Sequence, residues 1–331
     1  MDTTTPRTTA LGGTCCRPEN CRCISLVLQG GGALGAYQAG VYEGLEEAGL
    51  HPDWIAGVSI GAINTALIAG NPPGRRVERL RAFWERVTAR GVWPPAPDGD
   101  DWRRARNLQS AFSTLLLGQP GFFRPNPTSP WLAPRGARGA VAFYDTSPLR
   151  ETLEELVDWR LLNGGHPRVA FGAVNVETGN FAYFDSAATE IGPEHVMASG
   201  ALPPGLPPVR VGTDWFWDGG LVSNTPLEHL LGRDDGCNAL VFQVDLFPAR
   251  GPLPRDMEDV LSRERDIRYS SRTRYVTDVH RRLRHWRLRL KQALARLPPG
   301  QLTEEERHML SCLCGLPRYT VLQLIYQQKA Y

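Results

Sequence analysis

The sequence predicts an α/β chain in which helices pack on a parallel sheet. Three observations predict it: short apolar runs alternate with helical patterns from residue 24 onward, the links between them are short, and glycine or proline punctuates the elements. With 331 residues, 42% hydrophobic and 22% charged, the chain has enough apolar residues for one large core or two smaller ones. The net charge of +2 gives no reason to expect a nucleic-acid partner. No apolar run reaches the roughly 18 residues of a membrane span. The polar N-terminus lacks the apolar segment of a signal peptide, so a cytoplasmic protein is expected.

Residues 1–23 carry Cys15, Cys16, Cys21 and Cys23 without a CxxC pair or any zinc-like spacing, and are read as a disordered tail. Ile24 to Gln29 is a short buried strand stopped by glycine. Leu34, Tyr37, Val41, Leu45 and Ala48 form the apolar stripe of the next helix, which Gly49 ends. Trp54 to Val58 is a second strand and Ile60 to Ala69 a second helix, closed by Gly70-Asn71-Pro72-Pro73. A third helix over 75–90 turns Val77, Leu80, Trp84 and Val87 to one side.

Residues 91–147 change character, with eight prolines between Pro94 and Pro134 among several Trp and Phe residues. They read either as a lid or as a proline-braced insertion with its own small core. Pro148 then starts a helix with Leu149, Leu153 and Leu156 facing inward. Arg168 to Val176 and Phe181 to Phe184 flank a turn and suggest a hairpin. Glu194 to Ser199 is a short helix, Trp215 to Trp217 a strand ending at Asp218-Gly219-Gly220, and Ala239 to Leu246 another buried strand. Residues 24–248 are thus read as one catalytic domain and 249–331 as a basic, largely helical extension. In that extension Val279, Leu283, Trp286, Leu290, Leu294 and Leu297 make an amphipathic stripe among arginines. Such a helix fits an anionic membrane surface, or simply a solvated face.

Two glycine motifs carry the chemistry. Gly30, Gly32 and Gly35 satisfy G-x-G-x-x-G at a strand-to-helix junction, which suits a dinucleotide pyrophosphate or an oxyanion equally well. Gly57-Val58-Ser59-Ile60-Gly61 is G-x-S-x-G after a strand and before a helix, the setting of a nucleophile elbow. A dinucleotide site needs an acidic residue at the end of the second strand. That strand ends at Ser59, and Asp53 sits at its other end. Gly30, Gly31 and Gly32 therefore read as an oxyanion hole beside Ser59, with N–H groups around Gly31 and Gly32 aimed at the developing charge. Asp218, at a strand end, is the candidate base, against the plain reading of Asp-Gly as a turn. The order Ser59, Asp218, His229 also permits a Ser–His–Asp triad.

In these stretches the chain resembles the patatin-like phospholipase family. Gly30 to Gly35 is similar to its glycine-rich motif and Gly57 to Gly61 to its elbow. Ala198-Ser199-Gly200-Ala201-Leu202-Pro203 with Pro207-Pro208-Val209 resembles its alanine-serine helix and proline turn. Asp218-Gly219-Gly220 with Asn224-Thr225-Pro226-Leu227 resembles its aspartate motif. The resemblance implies a three-layer α/β/α fold with a mostly parallel central sheet. It implies a Ser59–Asp218 dyad that cleaves lipid esters through an acyl-enzyme, with no metal or organic cofactor. The basic tail, including Tyr269 to Arg274, looks like an extension found in some bacterial members. The family usually carries Arg or Lys where this chain has Leu34, so phospholipids and neutral esters both stay open as substrates. Other classes remain: a membrane- or partner-binding scaffold with a vestigial dyad, a triad esterase using His229, and a dinucleotide-dependent oxidoreductase.

Overall fold

A computed structural model describes residues 21–89, 114, 116–232, 238–314 and 318–327. Its strands are β1 (Cys23–Leu28), β2 (Trp54–Val58), β3 (Arg124–Pro125), β4 (Tyr144–Asp145), β5 (Arg168–Asn175), β6 (Phe181–Asp185), β7 (Val209–Val211), β8 (Asp214–Asp218), β9 (Ala239–Asp245) and β10 (Tyr319–Ile325). Its helices are α1 (Ala36–Glu47), α2 (Ile60–Ala69), α3 (Arg76–Thr88), α4 (Ser147–Leu156), α5 (Trp159–Leu162), α6 (Pro193–Ser199), α7 (Leu227–Leu231), α8 (Met257–Leu294) and α9 (Glu304–Cys314).

The central sheet runs β10-β9-β1-β2-β5-β8-β7, with β6 also on β5. The first five of these strands are parallel, β6 and β8 run opposite to β5, and β7, antiparallel to β8, runs in the direction of β5. Strands buried on both faces explain the mostly apolar sequences of β1, β2 and β9, in which Ser25, Gln243 and Asp245 are buried polar exceptions. Leu26, Leu28, Ile55, Phe171, Phe242 and Val244 face the α1–α2–α3 layer. Val27, Trp54, Ala56, Ala170 and Val241 face α7, which packs on α8. Helices on both faces make three layers.

β5 decides where the strand ends meet. Its residues 170–172 pair with β2 on one edge and β6 on the other, and 173–174 pair with β6 and β8. So β2 and β8 share one edge of β5 and point at each other. β2 ends at Val58 opposite Gly172, and β8 ends at Asp218 opposite Ala173.

Several elements depart from the sequence reading. Cys23, assigned to the tail, opens β1 and is disulfide-bonded. Of the stripe expected for α1, Leu45 is buried and Leu34, Tyr37 and Val41 pack half-buried on the core, while Ala48 is exposed and Gln38 and Tyr42 are the other fully buried residues. Gln38 is inside because its side chain bonds Gln29 O at 2.6 Å and accepts from Asn64 at 2.9 Å. The tail past 248 is not only helical: β10 extends the central sheet beside β9. Beyond residue 280, the stripe of α8 is largely exposed, and only Leu294 of its six apolar members is buried.

Residues 91–113 and 115 of the insertion lie outside the described residues. Its described remainder is tied down. Phe122 packs on Phe83, Gln119 bonds Val87 O, and β3 pairs with β4. Phe143 and Tyr144 N–H donate to Pro204 and Gly205 O, which places this segment next to the loop after α6.

Candidate active site

Ser59 stands at the turn from β2 into α2 with φ 57° and ψ −124°, the only positive φ of a non-glycine among the described residues. Such a conformation costs on the order of 1–3 kcal/mol and survives only where neighbours enforce it. The flanking glycines permit it. A Cβ on Gly57 would lie 2.3 Å from Gly61 O, and one on Gly61 would lie 2.2 Å from Leu28 O. Ser199 enforces it: Ser59 N–H lies 3.0 Å from Ser199 Oγ and 3.1 Å from Ser199 O. The Ser199 hydroxyl in turn donates to Gly172 O at 2.6 Å. Two residues on, Ala201 O accepts from Asp218 N–H at 3.0 Å. The Ala198–Pro203 segment thus ties the ends of β2 and β8 to each other.

The Ser59 side chain lies close enough to the Asp218 carboxylate to favour its charged form. Asp218 is 3% exposed and also accepts from Gly220 N–H at 2.7 Å. Burial pushes its pKa up, and the Ser59 side chain and Gly220 N–H offset part of the rise, leaving it at about 6. A Cβ on Gly219 would strike Gly172 O at 2.5 Å, so the glycine after Asp218 lets β8 end against β5.

The glycine loop covers the other side of Ser59. A Cβ on Gly30 would sit 3.0 Å from Ser59 Cβ and 2.3 Å from Asn224 Oδ1. Gly30 corrects the sequence reading. Its N–H donates to Asn224 O at 3.1 Å and its carbonyl accepts Asn224 Nδ2 at 2.8 Å, so it anchors the loop and is no free donor. Gly31 rests on Leu246, whose Cδ1 would be 2.6 Å from an added Cβ. Gly32, at φ +57°, has open space around it and is fixed as glycine by conformation alone. Leu34, where the family usually has a cation, packs half-buried against the core.

His229 is elsewhere. It lies on α7 at the opposite end of the sheet, its Nε2 2.7 Å from Asp185 Oδ2, and its ring stacks on Tyr183. Asp185 also receives both Arg168 donors at 2.7 and 2.9 Å. Arg168 and Trp54 begin β5 and β2, so the five residues of β2, about 16 Å of strand, separate this cluster from Ser59. The triad is therefore ruled out by position. Sequence reasoning also gave no role to Ser199 and Asn224. Both are polar residues buried within motifs it had quoted, which was the available signal.

An elbow serine at the C-terminal edge of a mostly parallel α/β sheet, beside a glycine loop, has the layout of an α/β acyl hydrolase. The chain belongs to the patatin-like phospholipase family. The family model described as "Patatin-like phospholipase" matches residues 26–231, and one described as "Patatin phospholipase" matches 267–331. Lysophospholipase nte1 of Aspergillus niger is 54% identical over 244 residues, 73% of this chain and 13% of that one. Lysophospholipase NTE1 of Cryptococcus neoformans is 26% identical over 242 residues, 72% of this chain and 12% of that one. The chain thus spans 13% or less of the length of these relatives. Among solved structures, VipD from Legionella pneumophila is 16% identical with a TM-score of 0.36, covering 72% of this chain and 52% of that one.

Proposed function

We propose that the chain is a serine lipid acyl hydrolase with Ser59 as nucleophile and Asp218 as its base. The observation that carries this is one juxtaposition: a strained, half-buried serine beside a buried carboxylate whose pKa is raised to about 6. Ser59 Oγ attacks the ester carbonyl while its proton passes to Asp218. N–H groups of Gly31 and Gly32 stabilise the oxyanion. Collapse expels the alcohol, which takes the proton from Asp218 and leaves an acyl-Ser59 ester. Water, deprotonated by Asp218, then attacks that ester and releases the fatty acid, restoring the serine. A proton acceptor near pKa 6 is a stronger base than an ordinary carboxylate, yet it is ionised at pH 7.

The substrate class is a lipid carboxylic ester. Relatives named lysophospholipase make lysophospholipids the first substrates to test, and Leu34 keeps neutral esters among them. A cytoplasmic protein that meets membranes peripherally fits the outer half of α8. There Leu283, Trp286 and Leu290 are exposed among Arg281, Arg282, Arg287 and Arg289. Cosedimentation with phosphatidylglycerol vesicles, and not with phosphatidylcholine ones, tests that contact.

A fluorophosphonate probe should label the wild-type chain and leave Ser59→Ala unlabelled, with hydrolysis of lysophospholipid or p-nitrophenyl esters lost in parallel. A serine that stays unmodified would sink the enzyme reading and favour the scaffold.

A further inference from the structure

The glycine loop is held from behind by α8, a helix more than two hundred residues away in sequence. The link is Gln29, the residue before Gly30, which is 0% exposed. Every polar group it has is engaged. Its N–H donates to Val244 O at 3.2 Å and its carbonyl accepts Gln38 Nε2 at 2.6 Å. Its Oε1 accepts Leu246 N–H at 2.6 Å. Its Nε2 donates to Thr225 Oγ1 at 3.1 Å and to Thr273 Oγ1, on α8, at 3.2 Å. The two threonine oxygens are 2.7 Å apart, and Thr273 Oγ1 donates to Tyr269 O at 3.2 Å. The proton directions follow. Thr273 gives its hydrogen to its own helix, Thr225 gives its hydrogen to Thr273, and each oxygen accepts one amide hydrogen of Gln29.

The same carboxamide therefore fixes two things. It sets the end of β1, from which Gly30 and Gly31 emerge. It also sets the backbone of Leu246, whose side chain is the surface Gly31 rests on. Both supports of Gly31 depend on one buried amide, and the orientation of that amide depends on a hydroxyl from α8.

We propose that Thr273 is a positioning residue of the hydrolase site, acting through Gln29 on the glycine loop. This rests on the reading of Ser59 as the nucleophile. The segment after residue 248 is then part of the catalytic apparatus and not an appendage to it. Removing the hydroxyl leaves a buried Nε2–H and the Thr225 hydroxyl short of an acceptor, so Gln29 must reorient. Oxyanion donors act only at close range to the developing charge, so a small shift of Gly31 slows the chemical step while substrate binding stays intact.

The test uses the full chain and p-nitrophenyl butyrate. Rates are expressed per site titrated to completion with a fluorophosphonate, so that misfolded molecules do not count. Thr273→Val should lower kcat by about tenfold with KM within about twofold, and Thr273→Ser should return most of the loss. Thr277→Val serves as the control. It lies one turn along, its hydroxyl bonds only within its helix, to Thr273 O at 2.9 Å, and it should match wild type. If Thr273→Val does not accumulate as folded protein, Thr225→Val, which removes the other acceptor of Gln29, is read in the same way. Equal kcat in Thr273→Val and Thr277→Val, or no recovery with serine, overturns the proposal and leaves the dyad standing. Wild-type hydrolysis that persists in Ser59→Ala overturns both.

Discussion

The two ends of the central sheet each bury an aspartate, and the surroundings drive the two in opposite directions. At the C-terminal end of β2, Asp218 accepts from Gly220 N–H and lies beside Ser59, and no cation among the described residues acts on it. Burial dominates, and its pKa rises to about 6. At the N-terminal end, Asp185 exposes almost as little surface, 4% against 3%, but it sits less deeply within the protein than Asp218. Burial pushes Asp185 up as well, but His229, Arg168 and Ala187 N–H together outweigh it and hold the carboxyl below the ordinary range. Asp185 is consequently a fixed anion that neutralises Arg168 and orients His229. Asp218 is a carboxylate whose proton can come and go near neutral pH. Deep burial without a cation raises a carboxyl's pKa, and shallower burial beside Arg168 and His229 does not.

The sharpest way to break this contrast is at Ser59. Ser59→Ala should lower kcat/KM by at least ~10³-fold, measured with p-nitrophenyl esters. Ser59→Gly should be as inactive, yet about 1 kcal/mol more stable than Ser59→Ala by urea unfolding, because only glycine is relaxed at φ 57°. Asp218→Asn comes next. It should cost ~10³-fold in rate with little loss of melting temperature at pH 8, since a neutral amide replaces an uncompensated buried charge.

His229→Ala inverts the pattern. Hydrolysis should stay within about threefold of wild type, while stability falls by about 1–3 kcal/mol as Asp185 loses a partner. A large loss of rate without loss of stability would return His229 to the mechanism.

The smallest effects are those of pH. The kcat/KM of the wild type should rise with pH through about 6, as Asp218 ionises. Stability should show opposite slopes from the two ends. A raised pKa means that the folded state holds a proton the unfolded chain has lost. Asp218, and Asp245 with its pKa also near 6, therefore make stability fall as pH rises from about 4 to 6. Asp185, with a lowered pKa, stabilises above the unfolded value and loses that contribution as pH falls through its folded value. Thermal melts of Asp218→Asn and His229→Ala across pH 3–8 separate the two slopes.

The local parts of the site were legible because their causes are local. The elbow is a strained turn, and the glycines that permit it lie two residues away on either side of Ser59. Asp218 was visible as an acid at a strand end followed by glycines. His229 was misleading for the converse reason. Chain order made it a triad candidate, but α7 carries it to the far end of the sheet, where Asp185 claims it. The expected stripe of α1 left out Gln38 because it counted apolar residues, whereas that buried position is held by hydrogen bonds with other elements.

By itself, then, the sequence determined the α/β alternation, the strained serine turn and the aspartate at its strand end, since periodicity and steric permission act over a few neighbouring residues. The tertiary structure alone decided that β2 and β8 meet head-on along β5, that Gly30 is an anchor, that β10 joins the sheet and that α8 reaches Gln29. Those outcomes depend on register and packing between segments up to 244 residues apart. No local pattern encodes which of many compatible pairings leaves the fewest buried polar groups unpaired.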